Sequence, residues 1–212
     1  MEMLTVITTI TVALITAVVG PIIVTWAKSK LEKRGESDST PMAEALEYSS
    51  LIDSQLEDII EELECDRVWV AQFHNGGHFY PTGKSIQKFS IFYEKCSPKV
   101  SAIQTTFQNI PVSLFTKALS KVYTDSELHI VGKEDEDGNT FALDALTSQF
   151  QTKSVCLIGL KSLDNHLIGV LGISYVAEKK LEREEWIYIR QKVGAIGALL
   201  SEYLYRQNQA NK

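Results

Sequence analysis

Cysteine is scarce in this chain of 212 residues: Cys65, Cys96 and Cys156 are its full complement, and none stands in a CxxC or other metal-ligand spacing. Their odd number does not suit a disulfide framework and points to reduced thiols in a cytoplasmic domain. A surplus of basic charge is also missing, since 21 Lys and Arg face 27 Asp and Glu for a net charge of -6. Phosphate recognition normally rests on a basic surface that releases counterions, so a nucleic-acid partner is excluded. No P-loop, GxSxG or GxGxxG sequence occurs, which removes the common nucleotide-binding and hydrolase signatures. What is present, 44% hydrophobic and 23% charged residues, is the composition of one medium globular domain with appendages.

Charge is absent altogether from residues 3–26, a run dominated by Val, Ile, Leu, Ala and Thr. At about 1.5 Å per residue such a run spans a hydrocarbon core of about 30 Å. Its threonines can return their hydroxyls to backbone carbonyls, and Gly20 and Pro21 predict a kink in its last third. A cleaved signal peptide would want a basic leader, whereas only Glu2 precedes the run. Lys28, Lys30, Lys33 and Arg34 follow it, and by the positive-inside rule that side faces the cytoplasm. The expected division is therefore a transmembrane anchor over 1–27, a juxtamembrane basic segment and linker over 28–41, and a soluble domain over 42–212. The expected location is the cell membrane, single-pass, with that domain cytoplasmic.

Thr40 and Pro41 make a helix start, and Met42, Ser49, Leu56 and Leu63 then repeat every seven residues beside a row of Ala45, Ile52 and Ile59. This pattern is equally that of a dimer seam and of an amphipathic helix packing on its own domain. Residues 67–73 are apolar on both alternating faces except at Gln72, as in a central strand, and Asn75-Gly76-Gly77 reads as a turn that ends it. A second strand covers 88–94, a short helix 113–121, and a solvated loop 133–139; residues 141–150 carry apolar side chains at helical spacing. Two apolar runs, 154–160 and 166–175, joined by KSLDN, predict a β-hairpin. A last helix over 182–206 places Trp186, Val193 and Leu200 in one row and Ile189, Ile196 and Tyr203 in its companion.

The ending, SVCLIGLKSLDNHLIGVLGISY followed by LEREEWIYIRQKVGAIGALLSEYL, resembles the GAF domain, and the resemblance in order of elements covers about residues 43–206. Gly169 matches the glycine near the start of the family's last strand. The resemblance implies an α+β fold: a central antiparallel sheet with the N- and C-terminal helices on one face and irregular connections on the other. It also implies a small-molecule pocket on the irregular face and dimerisation through the end helices. The Asn-Lys-Phe-Asp-Glu pattern of cyclic-nucleotide-binding members and the Cys-His signature of bilin-binding members are both absent, so no cofactor or named ligand carries over.

FHNGGHFY, residues 73–80, is the most unusual local chemistry. His74 and Asn75 offer donors and acceptors, and the glycines, Gly76 foremost, permit close approach of backbone to a ligand. The plain alternative is a polar turn. A zinc pair of His74 and His78 fails because Asn-Gly-Gly breaks a helix and no third ligand is evident. Glu94 ends the second strand and approaches His74 if the two strands are neighbours, for polar binding or general acid-base work; a solvated strand end is the plain reading. Cys96 lies close in sequence but lacks a basic partner. The expectation is thus a non-catalytic sensory or interaction module, binding a small ligand at His74, Asn75, Gly76 and Glu94, associating as a homodimer, and held in the membrane. The alternatives are a small membrane-anchored enzyme using His74 and Glu94, and a purely structural anchor. Val12→Arg is expected to impair insertion, because a charge at the bilayer centre costs at least about 2.5 kcal/mol on insertion scales. Alkaline extraction of membranes checks this: the native chain stays in the pellet and the variant moves to the supernatant.

Overall fold

The computed structural model describes residues 41–78, 85–135, 137–138, 141 and 149–210. The chain divides into two compact units, Met1–Glu44 and Ala45–Lys212. Of the first, only residues 41–44 are described, and they open a helix. The expected anchor over 1–27, the linker up to Thr40 and most of the apolar stretch 141–150 lie outside the described residues. Among the described residues, no helix is long and apolar enough to cross a membrane.

Helix α1, Pro41–Leu63, begins on a proline whose fixed φ suits the first helical position. It buries Tyr48, Ile52, Leu56, Ile59 and Leu63, a single face at helical spacing. Strand β1, Arg67–His78, pairs antiparallel with β2, Ser85–Cys96, and with β7, Leu167–Tyr175. Between them come β3 (Ile110–Pro111), a 3-10 turn (Val112–Phe115), α2 (Thr116–Asp125), β4 (Glu127–Val131), β5 (Glu134–Asp135) and β6 (Ser154–Lys161). Helix α3, Arg183–Ala210, ends the described chain. Among the described residues the sheet has seven strands in the order β3-β2-β1-β7-β6-β4-β5, every neighbouring pair antiparallel.

The predicted α+β class, the hairpin of β6 and β7, and the two terminal helices on one face are all present. Helices α1 and α3 run antiparallel: the Tyr48 ring meets that of Tyr203 at a 44° tilt with centroids 5.3 Å apart, and the Asp58 carbonyl accepts from the Tyr188 hydroxyl at 3.0 Å. Lys95 of β2 reaches Glu57 of α1 at 2.7 Å. The centres of the heptad rows are spent within the chain. Ile52, Leu56, Ile59, Ile189, Ile196 and Leu200 are each 0% exposed, packed with Val68, Val70, Ile158, Leu160, Leu171 and Ile173 of the sheet. One domain therefore covers most of the residues expected to be left for a dimer seam, Met42 (67% exposed) excepted, because strands β1, β7 and β6 present an apolar face broad enough for both helices.

A second correction concerns the expected turn at Asn75-Gly76-Gly77. Strand β1 runs on through it to His78, still paired with β2. The register shifts between Asn75 and His78, and Gly77 has φ +69°, so the glycine is absorbed as a bulge and not as a chain reversal. Strand β4, whose alternation of Glu127, Leu128, His129 and Ile130 is only four residues long, was not anticipated; its two bounding turns, at Ser126 (φ 69°) and Gly132 (φ 69°), define it.

The other face of the sheet is apolar as well. Trp69, Ala71, Phe89, Ile91, Leu128, Ile130, Val155, Leu157 and Val170 form a second core with Ile103, Phe107, Ala118 and Val122 of the connections. At its centre the Trp69 indole lies flat over Gly172, its cross-strand partner: a Cβ at position 172 would come within 2.1 Å of the ring. Gly169 is equally obligatory, with the Ala71 carbonyl oxygen 2.3 Å from where its Cβ would stand. Gly172→Ala is expected to destabilise the fold by about 1–3 kcal/mol through overpacking. In a Trp69→Leu background the same change is expected to cost less, since the obstructing ring is gone. Denaturant melts of the four forms of the cycle check this; equal costs in both backgrounds would show that the indole is not what Gly172 accommodates.

Candidate functional site

The residues expected to form a polar site fall into two separate places. Along β1 the side chains alternate, so Val68, Val70, Gln72 and His74 share the face of the terminal helices, while Trp69, Ala71 and Phe73 share the other. Glu94 is paired with Trp69 and takes Trp69's face. His74 is paired with Lys88, five residues further along β1, a strand distance of about 17 Å. His74 and Glu94 are thus not brought together: they lie on opposite faces and at different levels of the same strand pair.

Each has its own structural partners. His74 Nε2 stands 2.9 Å from Ser90 Oγ, its ring edge-on to Phe92 at 6.3 Å, and Ser90 Oγ accepts from the Asn109 N–H at 2.8 Å. Asn75 Oδ1 accepts from Gln87 Nε2, and the Lys88 chain crosses Gly76, 3.1 Å from where a Cβ would be. This polar group sits at the β2–β3 edge. The Glu94 carboxylate instead accepts from the backbone N–H groups of Ile103 (2.9 Å) and Gln104 (2.8 Å), closing the turn that follows β2. A carboxylate that satisfies two otherwise orphaned donors fixes a loop in place.

Arg67, 2% exposed, was missed by sequence reasoning, where it reads as an ordinary strand start. Its Nε donates to the Ser101 carbonyl at 2.8 Å and one terminal nitrogen to the Phe150 carbonyl at 3.0 Å, with the Phe150 ring 6.0 Å away. One side chain thereby ties the connection after β2 and the segment before β6 to the sheet. Cys96, paired with Arg67, has its thiol pushed up to about 12 by burial and by the neighbouring Glu94 carboxylate, with Arg67 opposing. It is a protonated thiol at neutral pH, the opposite of an activated nucleophile. Cys65 is likewise pushed up to about 12 by burial. Among the described residues no group of three or more His, Cys, Asp and Glu could hold a metal ion.

The connections held by Glu94 and Arg67 roof the second core, and between roof and sheet lies a cavity of about 40 Å³. Trp69, Ala71, Phe89, Leu157 and Val170 form its floor; Phe107 comes from the connection after β2, and Phe115, Ala118 and Leu119 from the 3-10 turn and α2. Carbon alone makes up its wall. Phe73, Phe115 and Leu119 are only half-buried, so the cavity reaches the surface there. The irregular face of the sheet thus does enclose a pocket, yet none of His74, Asn75, Gly76 and Glu94 lines it. The alternation of Trp69, Ala71 and Phe73 was the available sequence signal for it.

No protein-family profile matches the chain, and no curated protein matches it in sequence. Solved structures do match in fold. The photoproduct state of GAF3 from Slr1393 of Synechocystis sp. PCC6803 is 16% identical, with 76% of this chain and 98% of that one covered at a TM-score of 0.56. The phycoerythrobilin-bound GAF domain from a cyanobacterial phytochrome is 13% identical, with 76% and 89% covered at 0.57. A GAF domain/HD domain protein from Geobacter sulfurreducens is 12% identical, with 74% and 94% covered at 0.55. The chain has a GAF-like fold. Because His74 and Glu94 share no partner, the destabilisations of His74→Ala and Glu94→Ala are expected to add to within about 0.5 kcal/mol. Denaturant melts of both single variants and the double variant check this, a larger coupling meaning that the two residues do communicate.

Proposed function

We propose that this chain is a non-catalytic sensory or interaction module that takes a small ligand on the irregular face of its sheet. The observation that carries this reading is the cavity between the sheet and its roof, enclosed in part by a connection that Glu94 and Arg67 together fasten near the start of β1. The GAF-like fold adds support, since the phytochrome domain of the same fold is described with phycoerythrobilin bound. The separation of His74 from Glu94 and the raised pKa of Cys96 favour this reading over a small enzyme using those groups.

Two further parts of the proposal rest on the sequence. The uncharged run 3–26 followed by Lys28, Lys30, Lys33 and Arg34 supports a single membrane anchor with the domain on the cytoplasmic side. Association as a homodimer through the outer faces of the terminal helices would use Met42 (67% exposed), Leu46 (63%), Leu51 (44%), Ile187 (47%) and Tyr205 (64%), since the central heptad residues are consumed in the core. A second placement of the ligand, on His74, Asn75 and Gly76, is favoured by the polar contacts gathered there.

A melting screen of bilins, nucleotides and metabolites on the full chain tests the proposal. A ligand at one hundred times its dissociation constant is expected to stabilise the fold by about 2.7 kcal/mol. Leu119→Trp, which fills the cavity, is expected to erase that shift while His74→Ala keeps it; the reverse pattern would place the ligand on the polar group. No shift with any compound, or turnover of one, would overturn the reading of a ligand-binding sensor.

A further inference from the structure

The walls of the cavity restrict what can occupy it, and the following inference rests on the sensory reading above. None of its lining residues, Trp69, Ala71, Phe73, Phe89, Ile91, Phe107 and the α2 side included, offers a polar atom to the interior. Among the described residues the Trp69 Nε1–H is buried and without a partner, a single neutral donor that cannot compensate a charge. The two charges that hold the connection roofing it are already engaged: Arg67 by the carbonyls of Ser101 and Phe150, Glu94 by the N–H groups of Ile103 and Gln104. A charged or strongly polar group entering here would lose its water and find no replacement. An apolar one would gain dispersion contacts from ring and methyl carbons that at present face empty space.

Size restricts the occupant further. Sites for drug-sized ligands run to about 300–1,000 Å³, and an engineered apolar cavity of about 150 Å³ stays dry and accepts benzene or xenon. At about 40 Å³ this cavity is well below both. A tetrapyrrole or a nucleotide does not fit without dismantling the roof.

Of the parts that enclose it, the sheet and the connection after β2 are fastened. The Phe107 carbonyl accepts from the Ile91 N–H at 2.9 Å, and Gln108 Nε2 donates to the Ile91 carbonyl at 2.7 Å. The wall made by the 3-10 turn and α2 is fastened differently. At its C-terminal end the Ser126 carbonyl accepts from the Gly159 N–H at 2.8 Å and Ser126 Oγ from Lys161 Nζ at 3.0 Å. At its N-terminal end it follows directly on β3, which pairs with β2; from there to α2 it is held by ring contacts, Phe115 against Phe89 of β2 at 5.6 Å and against Phe107 of the connection at 6.3 Å. Ring contacts of this kind slide at lower cost than hydrogen bonds break.

We infer that the cavity is a site for an uncharged apolar molecule of a few heavy atoms, admitted past Phe115 and Leu119 at the wall formed by the 3-10 turn and α2. The ligand class is set by two facts together: a wall of carbon, and a volume that holds a small gas or short hydrocarbon and excludes an aromatic ring. Enlarging the mouth is expected to shift the limit of size without changing the requirement for apolarity.

Xenon and benzene are the probes, followed on methyl-labelled full-length protein by NMR. Saturable xenon shifts confined to the methyls of Leu119, Leu157, Val170 and Ile91 are expected, with no benzene shift. In Phe115→Ala benzene is expected to bind at the same methyls, and in Ala118→Leu the xenon shifts are expected to fall at least tenfold. If Ala118→Leu does not fold, the wild-type pattern of confined, saturable xenon shifts and absent benzene shifts still decides the matter. Diffuse or non-saturating xenon shifts would reduce the cavity to a packing void and overturn the inference. Should a bilin or nucleotide stabilise the protein while xenon leaves those methyls unmoved, the inference fails and the sensory reading stands. If neither class of probe has any effect, both fall.

Discussion

The contact between the Trp69 indole and Gly172 is the constraint on which the arrangement depends. First and last strands, β1 and β7, pair at the middle of the sheet, and both carry large side chains to both faces. A tryptophan on β1 can lie flat only if its partner on β7 has no side chain, and position 172 provides that. With the ring laid over β7, Leu157 and Val170 from the neighbouring strands and Ala71 from β1 itself share its core. The same flatness leaves space above the ring that the connections do not fill, so the cavity is a consequence of how β1 and β7 meet.

Much of this was legible in the sequence where periodicity is strong. Residues 154–175 are two apolar runs broken by a turn at KSLDN, and the helical rows of α1 and α3 are regular over six to eight turns, so hairpin and helices were recoverable from sequence pattern alone. Which surface those rows meet was not, because a heptad row is the same pattern whether it faces a partner chain or a sheet. Ile52 and Ile196 go to the sheet because the sheet is wide, a property of strand order and not of the helices. The glycines at 76 and 77 misled for a related reason. A glycine pair after a strand signals a turn when the strand ends, and a bulge when its partner continues, and only the length of β2 distinguishes the two.

The candidate site was the least legible part. Glu94 and Arg67 act on backbone groups of Ser101, Ile103, Gln104 and Phe150, segments whose sequence has no period to follow. A carboxylate that closes a turn and one that binds a ligand look alike until the turn is placed. The pairing of His74 with Glu94 rested on adjacency of strands, and adjacency is present; the pleat, which alternates side chains between faces, is what separates them.

Between cavity and helix pair there is a single layer of backbone. Trp69 points into one side while Val68 and Val70 point into the other, so the cavity floor and the floor of the helix pair belong to one rigid strand. A ligand shifts an equilibrium only where an element has two arrangements that differ in affinity. Strand β1, hydrogen-bonded on both sides by β2 and β7, is a poor candidate. The turn and helix α2 are better ones: they contribute Phe115, Ala118 and Leu119 to the cavity, are hydrogen-bonded to β6 through Ser126, and carry Leu114 (65% exposed) and Tyr123 (72%) outward. If occupancy of the cavity is read by another molecule, the physical argument therefore favours α2 over the terminal helices as the surface that changes.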